Sequence, residues 1–526
     1  TLFTGARGVH TLTELAVQAR QSELPRADNR RYGILKSESA AVWLRRGTYF
    51  ALLLVAAGAP FAPHFVQFVS RVAFALWLTR AMIYRQLPQR KALFLPFLIF
   101  FGIAGLSAIF SYDPLVSWTR LGWFGMGMLI LIVPGTIQGG RELKLLVSVL
   151  LAAGFISGAR TAWQYTAGIG TKLAYVRRDC ALAGDGLWSG DMIQEINGQP
   201  TRTPMQWKRA LQLTRHDAKL KLRVARTYPL QHFYVVIARA DLDSWRADPT
   251  ATLARGTPLR AQGGFYNSIP YAGLMMVLAA VACGLWLSAP SLAGRFALGA
   301  VTALFSACLL LTVTRAYIVA LLISCLLMVC VGQRRRSMSL VLILLGIAAT
   351  LVWARETRHL ARWYGEEDSS RMMMWSDSPR LILHYPLLGI GWDSVFSHGR
   401  RWNLQAYKTY PNKLSHFHST PIQIAVDAGV LELAVWFWLL AAWFRLLITG
   451  LRLTRNKDWL SRGLALGLLG SAAGFVIAST VHYTLGDGEV MGALWLLMGC
   501  AVVLGSQVRN EETAFSRRSL AKTGAE

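Results

Sequence analysis

The run SIPYAGLMMVLAAVACGLWLS, Ser268 to Ser288, holds 21 residues and not one charged side chain. As a helix rising 1.5 Å per residue it spans about 30 Å, the depth of the hydrocarbon core of a bilayer. Comparable apolar runs lie near 48–64, 65–83, 92–110, 121–138, 143–165, 296–314, 316–332, 338–354, 420–444, 463–482 and 490–507. The residues AVILMFWYC make up 54% of the 526-residue chain, against 16% charged, with 19 Trp. A soluble protein of this composition would leave far too much apolar surface uncovered. The reading is therefore an all-α polytopic membrane protein with about twelve transmembrane helices.

The net charge of +27 does not point to nucleic acid, because the basic residues flank the apolar runs instead of forming one stripe. They serve as topology signals. Arg80, Arg85, Arg90 and Lys91 share one loop, Arg141 and Lys144 lie in the next but one, and then come Arg295, Arg334 to Arg336, and the group Arg445, Arg452, Arg455 and Lys457. Every second loop is basic, while Ser111 to Thr119 and His482 to Glu489 carry no Lys or Arg. By the positive-inside rule both termini are expected in the cytoplasm. Residues 1–47 read as a cytoplasmic arm, since no short apolar core precedes a small-residue cleavage site, and 508–526 as a cytoplasmic tail. Helices 1–5 fall in 48–165, helices 6–9 in 268–354 and helices 10–12 in 420–507. The polar segments 166–267 and 355–419 fall on the outer side, the second partly helical. Of six Cys, five lie in apolar segments and Cys180 in a polar one, so no disulfide pair or zinc spacing is evident.

Within the first outer segment, Gly184 to Arg226 places a Gly-Asp turn before a short alternating strand that ends at Asn197-Gly198. A helix-like stretch around Trp207 to Leu213 and the strand Leu220 to Val224 follow. That order resembles a bacterial PDZ domain, matched by Gly186-Leu187, Gly190-Asp191, Ile193 and Ile196-Asn197-Gly198. The resemblance implies a small α+β insert over about 172–240, separable from any chemistry, with a peptide or protein as a possible partner captured by strand addition. Gly168-Ile169-Gly170 stands where a carboxylate-binding loop is expected, very close to the preceding membrane helix. A purely structural docking module is the alternative.

The apolar segments hold almost no Asp or Glu away from their ends, which weighs against an ion-coupled carrier. Polar chemistry gathers instead at Arg315, in Leu311-Thr-Val-Thr-Arg-Ala-Tyr317, and across the loop to Thr420. A lone Arg at a helix end ordinarily snorkels to lipid phosphates, but Arg315 has company. The loop carries Arg371-Met-Met-Met-Trp375, Arg380, Pro386-Leu-Leu-Gly-Ile-Gly391 and Lys413. His416 and His418-Ser-Thr-Pro-Ile-Gln423 then lead into Asp427-Ala-Gly429.

These motifs, in this order, resemble the O-antigen ligase and polymerase superfamily of bacterial envelope glycosyltransferases. Gly264 to Pro270 and Ser111 to Pro114 echo earlier parts of the family pattern. Two departures stand out: Ser419 replaces the usual Asn, and the insert is not a general family feature. The resemblance implies transfer of a glycan from undecaprenyl diphosphate to an acceptor hydroxyl, outside the bacterial inner membrane. Lipid A core is the favoured acceptor. Polymerisation of a glycan chain and protein O-glycosylation use similar motifs, and a lipid-glycan flippase or exporter is the reading from another class. Such transfer needs a stabilised diphosphate, which fixed guanidinium forks suit, and a deprotonated hydroxyl, which a histidine suits. Arg315 and Arg371 are expected at the diphosphate and His418 as the base. Arg380, Lys413, Trp375 and His416 are candidates for substrate contact. His416 is the rival base; on a helix it would face a different side from His418. The outer loop 355–419 carries no Asp-x-Asp motif, so a metal-free, cofactor-free reaction is expected.

Overall fold

The computed structural model describes residues 38–523 apart from 86–92, 178, 216–217, 228–229, 249–252, 258–259, 266, 333–345, 347–360, 400, 410–415 and 456. The first half of the bundle comprises α1 Glu38–Gly58, α2 Pro63–Tyr84, α3 Phe94–Ile109, α4 Pro114–Phe124, α5 Leu129–Thr136 and α6 Gly140–Ala167. The insert follows as β1 Gly170–Leu173, α7 Ala181–Gly184, β2 Met192–Ile196, β3 Gln199–Pro200, α8 Pro204–Gln212, β4 Lys219–Thr227, β5 Leu230–Ala238, α9 Arg239–Ala247 and β6 Leu253–Gly256. The second half holds α10 Ser268–Ser288, α11 Leu292–Leu311, α12 Arg315–Gly332, α13 Ala361–His384, α14 Ser394–His398, α15 Gln405–Thr409, α16 Thr420–Leu453, α17 Trp459–Ser479 and α18 Gly488–Thr523.

Among the described residues nine helices are long and apolar enough to cross a membrane, or ten if the bent pair α4 and α5 counts as one span. The expected span 121–138 is that bent pair. Gly125 and Gly127 lie in the 3-10 turn Gly125–Met128 between its halves, and Pro134 interrupts the second. The expected span 92–110 is a shorter helix of 16 residues, α3, and 338–354 lies outside the described residues. The run that opens the sequence reading, α10, is almost wholly buried, and so is the apolar part of α18. Large apolar side chains on the outer helices, such as Phe50, Phe68, Phe110 and Phe296, are exposed. In a bilayer that is the expected division, because lipid replaces water around the rim while protein surrounds the centre. The protein is thus a polytopic all-α membrane protein carrying one small sheet.

The insert forms an antiparallel sheet in the order β5-β4-β2-β1-β6, with β3 on β2. Leu220, Leu222 and Val224 point into its core while Lys219, Lys221 and Arg223 stay exposed, the period-two pattern of a half-buried strand. Asn197 and Gly198 both adopt positive φ (50° and 79°), which gives the tight turn between β2 and β3. Trp207 and Trp245 fill the core between sheet and helices. Two features differ from expectation. The module runs from 170 to 256, wider than 172–240, because β1 and β6 pair at its base. The Gly168-Ile169-Gly170 segment is not an anion-receiving loop: Gly168 N–H donates to Gln164 O (3.0 Å) and Ile169 N–H to Gly256 O (2.8 Å). Its donors are consumed by helix capping and strand pairing.

Candidate active site

Four segments meet at one end of the bundle. The first is the turn between α11 and α12. Val313 adopts φ +58° there, a left-handed conformation strongly disfavoured for a β-branched residue. Its surroundings hold it in place. Thr312 Oγ1 donates to Leu309 O (2.7 Å), and the chain leaving the insert grips the turn through Ala261 N–H to Leu311 O (2.8 Å). Arg260 adds Nε to Thr312 O (2.8 Å) and Nη2 to Thr314 Oγ1 (3.0 Å). Strain of this kind persists only where neighbours over-determine it. The turn delivers Arg315 as the first residue of α12.

The second segment is α13. Arg371 and Trp375 are four residues apart and so share one face. Arg371 Nη1 reaches Val481 O (3.5 Å), and Trp375 Nε1 donates to Phe417 O (2.7 Å). The third segment, His416 to Ser419, is not helical: His418 has φ +51°, and its ring centroid lies 4.2 Å from that of His416. The expectation that the two histidines face different sides, which assumed a helix, is therefore corrected. Phe417 between them is held at both backbone groups, its carbonyl by Trp375 and its N–H by Gln423 Oε1 (2.7 Å). Gln423 Nε2 in turn donates to Asp427 Oδ2 (2.8 Å). The fourth segment, Val481 to Asp487, is tied to the start of α16 by Thr420, whose N–H (3.1 Å) and Oγ1 (3.0 Å) both donate to His482 O. Tyr317 stacks on the His482 ring at 5.1 Å and 6°.

Beneath these side chains two backbones interlock. Gly429 breaks α16 with φ 84°, ψ 175°. The Pro386 to Gly391 turn packs into that break, with Ile390 N–H on Val426 O (3.0 Å), Gly391 N–H on Asp427 O (2.8 Å) and Val430 N–H on Pro386 O (2.8 Å). A Cβ at Gly389 would lie 2.3 Å from the Asp427 carbonyl carbon, and one at Gly429 would lie 2.2 Å from Leu387 O. Only glycine fits both positions. Asp427 and Glu432 are both buried on α16, exceptions to the scarcity of acids away from helix ends. Among the described residues Asp427 Oδ1 and both Glu432 oxygens lack hydrogen-bond partners.

A cavity of about 630 Å³ opens where the segments meet, lined by Arg260, Arg315, Arg371, Trp375 and His482 among others. Burial, then the charge of Arg120 and Arg371, holds His416 down to about 4. His482 is held to about 3 by burial, then Arg371, His416 and Arg260. His418 is pushed well below the ordinary value, again by burial first, then by His416, Arg371 and His482. All three are neutral near pH 7, so the site presents fixed guanidinium charge beside uncharged imidazoles. Among the described residues no group of three or more His, Cys, Asp or Glu is arranged to hold a metal ion.

The structure thus brings Arg315, Arg371 and Trp375 to one cavity, with His418 and His416 close enough to feel the Arg371 charge. Arg380 is exposed and does not line it, and Lys413 lies outside the described residues. Arg260 and His482 were missed. Arg260 follows the insert with no motif around it, and His482 sits in a loop legible only by its lack of Lys and Arg.

Residues 300–437 match the family described as O-antigen ligase, a stretch that holds the Val313 turn, Arg315, Arg371, the glycine interlock and both histidines. The match supports the resemblance to the ligase- and polymerase-like glycosyltransferase superfamily that the order of motifs carries. A search of curated proteins finds no match.

Proposed function

We propose that the protein transfers a preassembled glycan from undecaprenyl diphosphate to an acceptor hydroxyl, lipid A core above others, at the periplasmic face of a bacterial inner membrane. The observation that carries this reading is the convergence of Arg260, Arg315 and Arg371 on one cavity whose neighbouring loop carries His418. Arg315 and Arg371 bind the diphosphate oxygens. As the acceptor oxygen attacks the anomeric carbon, its proton passes to the His418 imidazole, the sugar–phosphate bond breaks, and its electron pair leaves on the diphosphate, where the guanidinium groups stabilise it. Lys413 and Arg380 are auxiliary contacts to the long donor, and Trp375 supports the loop while lining the cavity.

Donor binding also tunes the base. Arg371 is one of the charges that depress His418, so a bound diphosphate offsets that charge and raises the imidazole toward its ordinary value near 6.5. The base becomes stronger once there is a leaving group to use it on. The test is an in vitro assay that offers a lipid-diphosphate glycan with lipid A core, a nonreducing glycan end or a protein hydroxyl. Transfer to lipid A core is the expected result. Transfer to another acceptor alone reassigns the acceptor, and no transfer with any of them overturns the reading.

A further inference from the structure

The insert holds a second basic cavity, of about 290 Å³, away from the site above. Arg202, Lys208, Arg246 and Arg255 line it, and no carboxylate does. Among the described residues none of these four forms an ion pair. Five acids of the insert are engaged elsewhere: Asp191 with Arg226, Glu195 with Arg223, Asp179 and Asp248 with Arg177, and Asp243 with Arg239. Trp207, 2% exposed, lines it as well. Thr203, the N-cap of α8, lines the cavity too, so the positive end of a nine-residue helix adds to the field. Three guanidinium groups, an ammonium group and a helix N-terminus together select a compact oxyanion with several acceptor oxygens.

The position of the cavity in the chain bears on the source of that anion. Arg255 donates to the Thr166 carbonyl in the last turn of the membrane helix α6. Thr171, another lining residue, lies only four residues past Ala167, within about 13 Å at the rise of a strand. That is close to the headgroup layer. Beside it Met205 and Leu253 are 80% and 40% exposed, apolar groups next to cations, the pairing that suits a lipid surface.

We propose that this cavity binds a phosphate group presented by a membrane lipid headgroup, docking the insert onto the bilayer. The assignment is independent of the transfer reaction. The test uses the full-length protein in nanodiscs of phosphatidylcholine, of phosphatidylcholine with phosphatidic acid, and of phosphatidylcholine with added inorganic phosphate. Amide hydrogen exchange is read in peptides covering 199–213 and 253–257. Phosphatidic acid should slow exchange there severalfold. The Arg202→Gln/Arg246→Gln variant should lose the effect, and Arg223→Gln on the sheet should leave it intact. Slowing by inorganic phosphate alone supports the phosphate chemistry and overturns the lipid source. Equal exchange in all three conditions, or protection only by an added peptide with a free C-terminus, overturns the proposal.

Discussion

The insert and the junction at the end of the bundle are built on opposite plans. In the insert, contacts close within one stretch of chain, 170–256: Arg226 grips Asp191 (2.7 Å), 35 residues away, and the turn glycines sit where the chain reverses. In the junction, Ser107 Oγ bonds Asp427 O across 320 residues (3.0 Å) and Ser117 Oγ bonds Trp392 O across 275 (3.0 Å). Non-glycine residues are held there at positive φ, among them Val313 and His418. A local module can be altered without moving its neighbours. A junction assembled from distant backbones has to be right everywhere at once, and that is where strain can be stored and used.

This contrast can be broken most sharply at Gly429. Gly429→Ala places a methyl against Leu387 O on a backbone that already requires positive φ, so the expected outcome is loss of both the monodisperse protein and the transfer activity. Wild-type behaviour on size exclusion would show that the interlock tolerates movement. The next largest effect belongs to the insert. Asp191→Ala leaves the 10%-exposed Arg226 side chain without its carboxylate, at a cost of about 3–5 kcal/mol for breaking a buried pair. Fast proteolysis should appear within 170–256 while transfer to a lipid acceptor persists; if activity vanished in a protein still inserted and stable, the two regions would not be separable.

Smaller effects test how the histidine loop is held. Trp375→Phe and Gln423→Ala each remove one clamp on Phe417, and turnover should fall about tenfold to a hundredfold, as misplaced catalytic groups usually cost, with donor affinity little changed. A separate effect is that of pH on stability. His416 and His482 titrate near 4 and 3 in the folded chain against about 6.5 unfolded. Below pH 6.5 the unfolded state takes up protons that the folded state refuses, so stability falls as pH drops from 6.5 toward 4. Thermal melts at pH values of about 7.0, 6.0 and 5.0 should show decreasing midpoints, with the larger drop in the second step. A flat profile would mean that the histidines are better solvated than their burial suggests.

The difference between the regions also decides what the sequence could reveal. Membrane helices follow from uncharged runs such as 268–288, because bilayer thickness alone sets their length. Two strands of the insert, β2 and β4, follow from the Asn-Gly turn and from alternation at Leu220 to Val224, both local signals, whereas β1, β5 and β6 were not read. Arg315, Arg371 and His418 were singled out through spaced motifs. Arg260 was not, because its role exists only where the chain leaving the insert touches the Val313 turn. Nor was the closeness of His416 and His418, since the left-handed backbone at His418 is imposed by Trp375 and Gln423 from outside the loop. The bend between α4 and α5 was hidden because its glycines lie inside an otherwise apolar run.

The central claim is that the histidine loop acts on the acceptor while the arginines hold the donor. It is tested most directly by measuring glycan transfer and lipid-diphosphate binding side by side for His418→Ala, His416→Ala, Arg315→Ala and Arg371→Ala in nanodiscs. The account predicts that His418→Ala abolishes transfer with the donor still bound, that His416→Ala keeps substantial activity, and that both arginine variants lose donor binding as well as turnover, with Lys restoring them only in part. A His418→Ala protein near wild-type activity beside an inactive His416→Ala would move the base by two residues, and full activity in both would contradict the acid–base account.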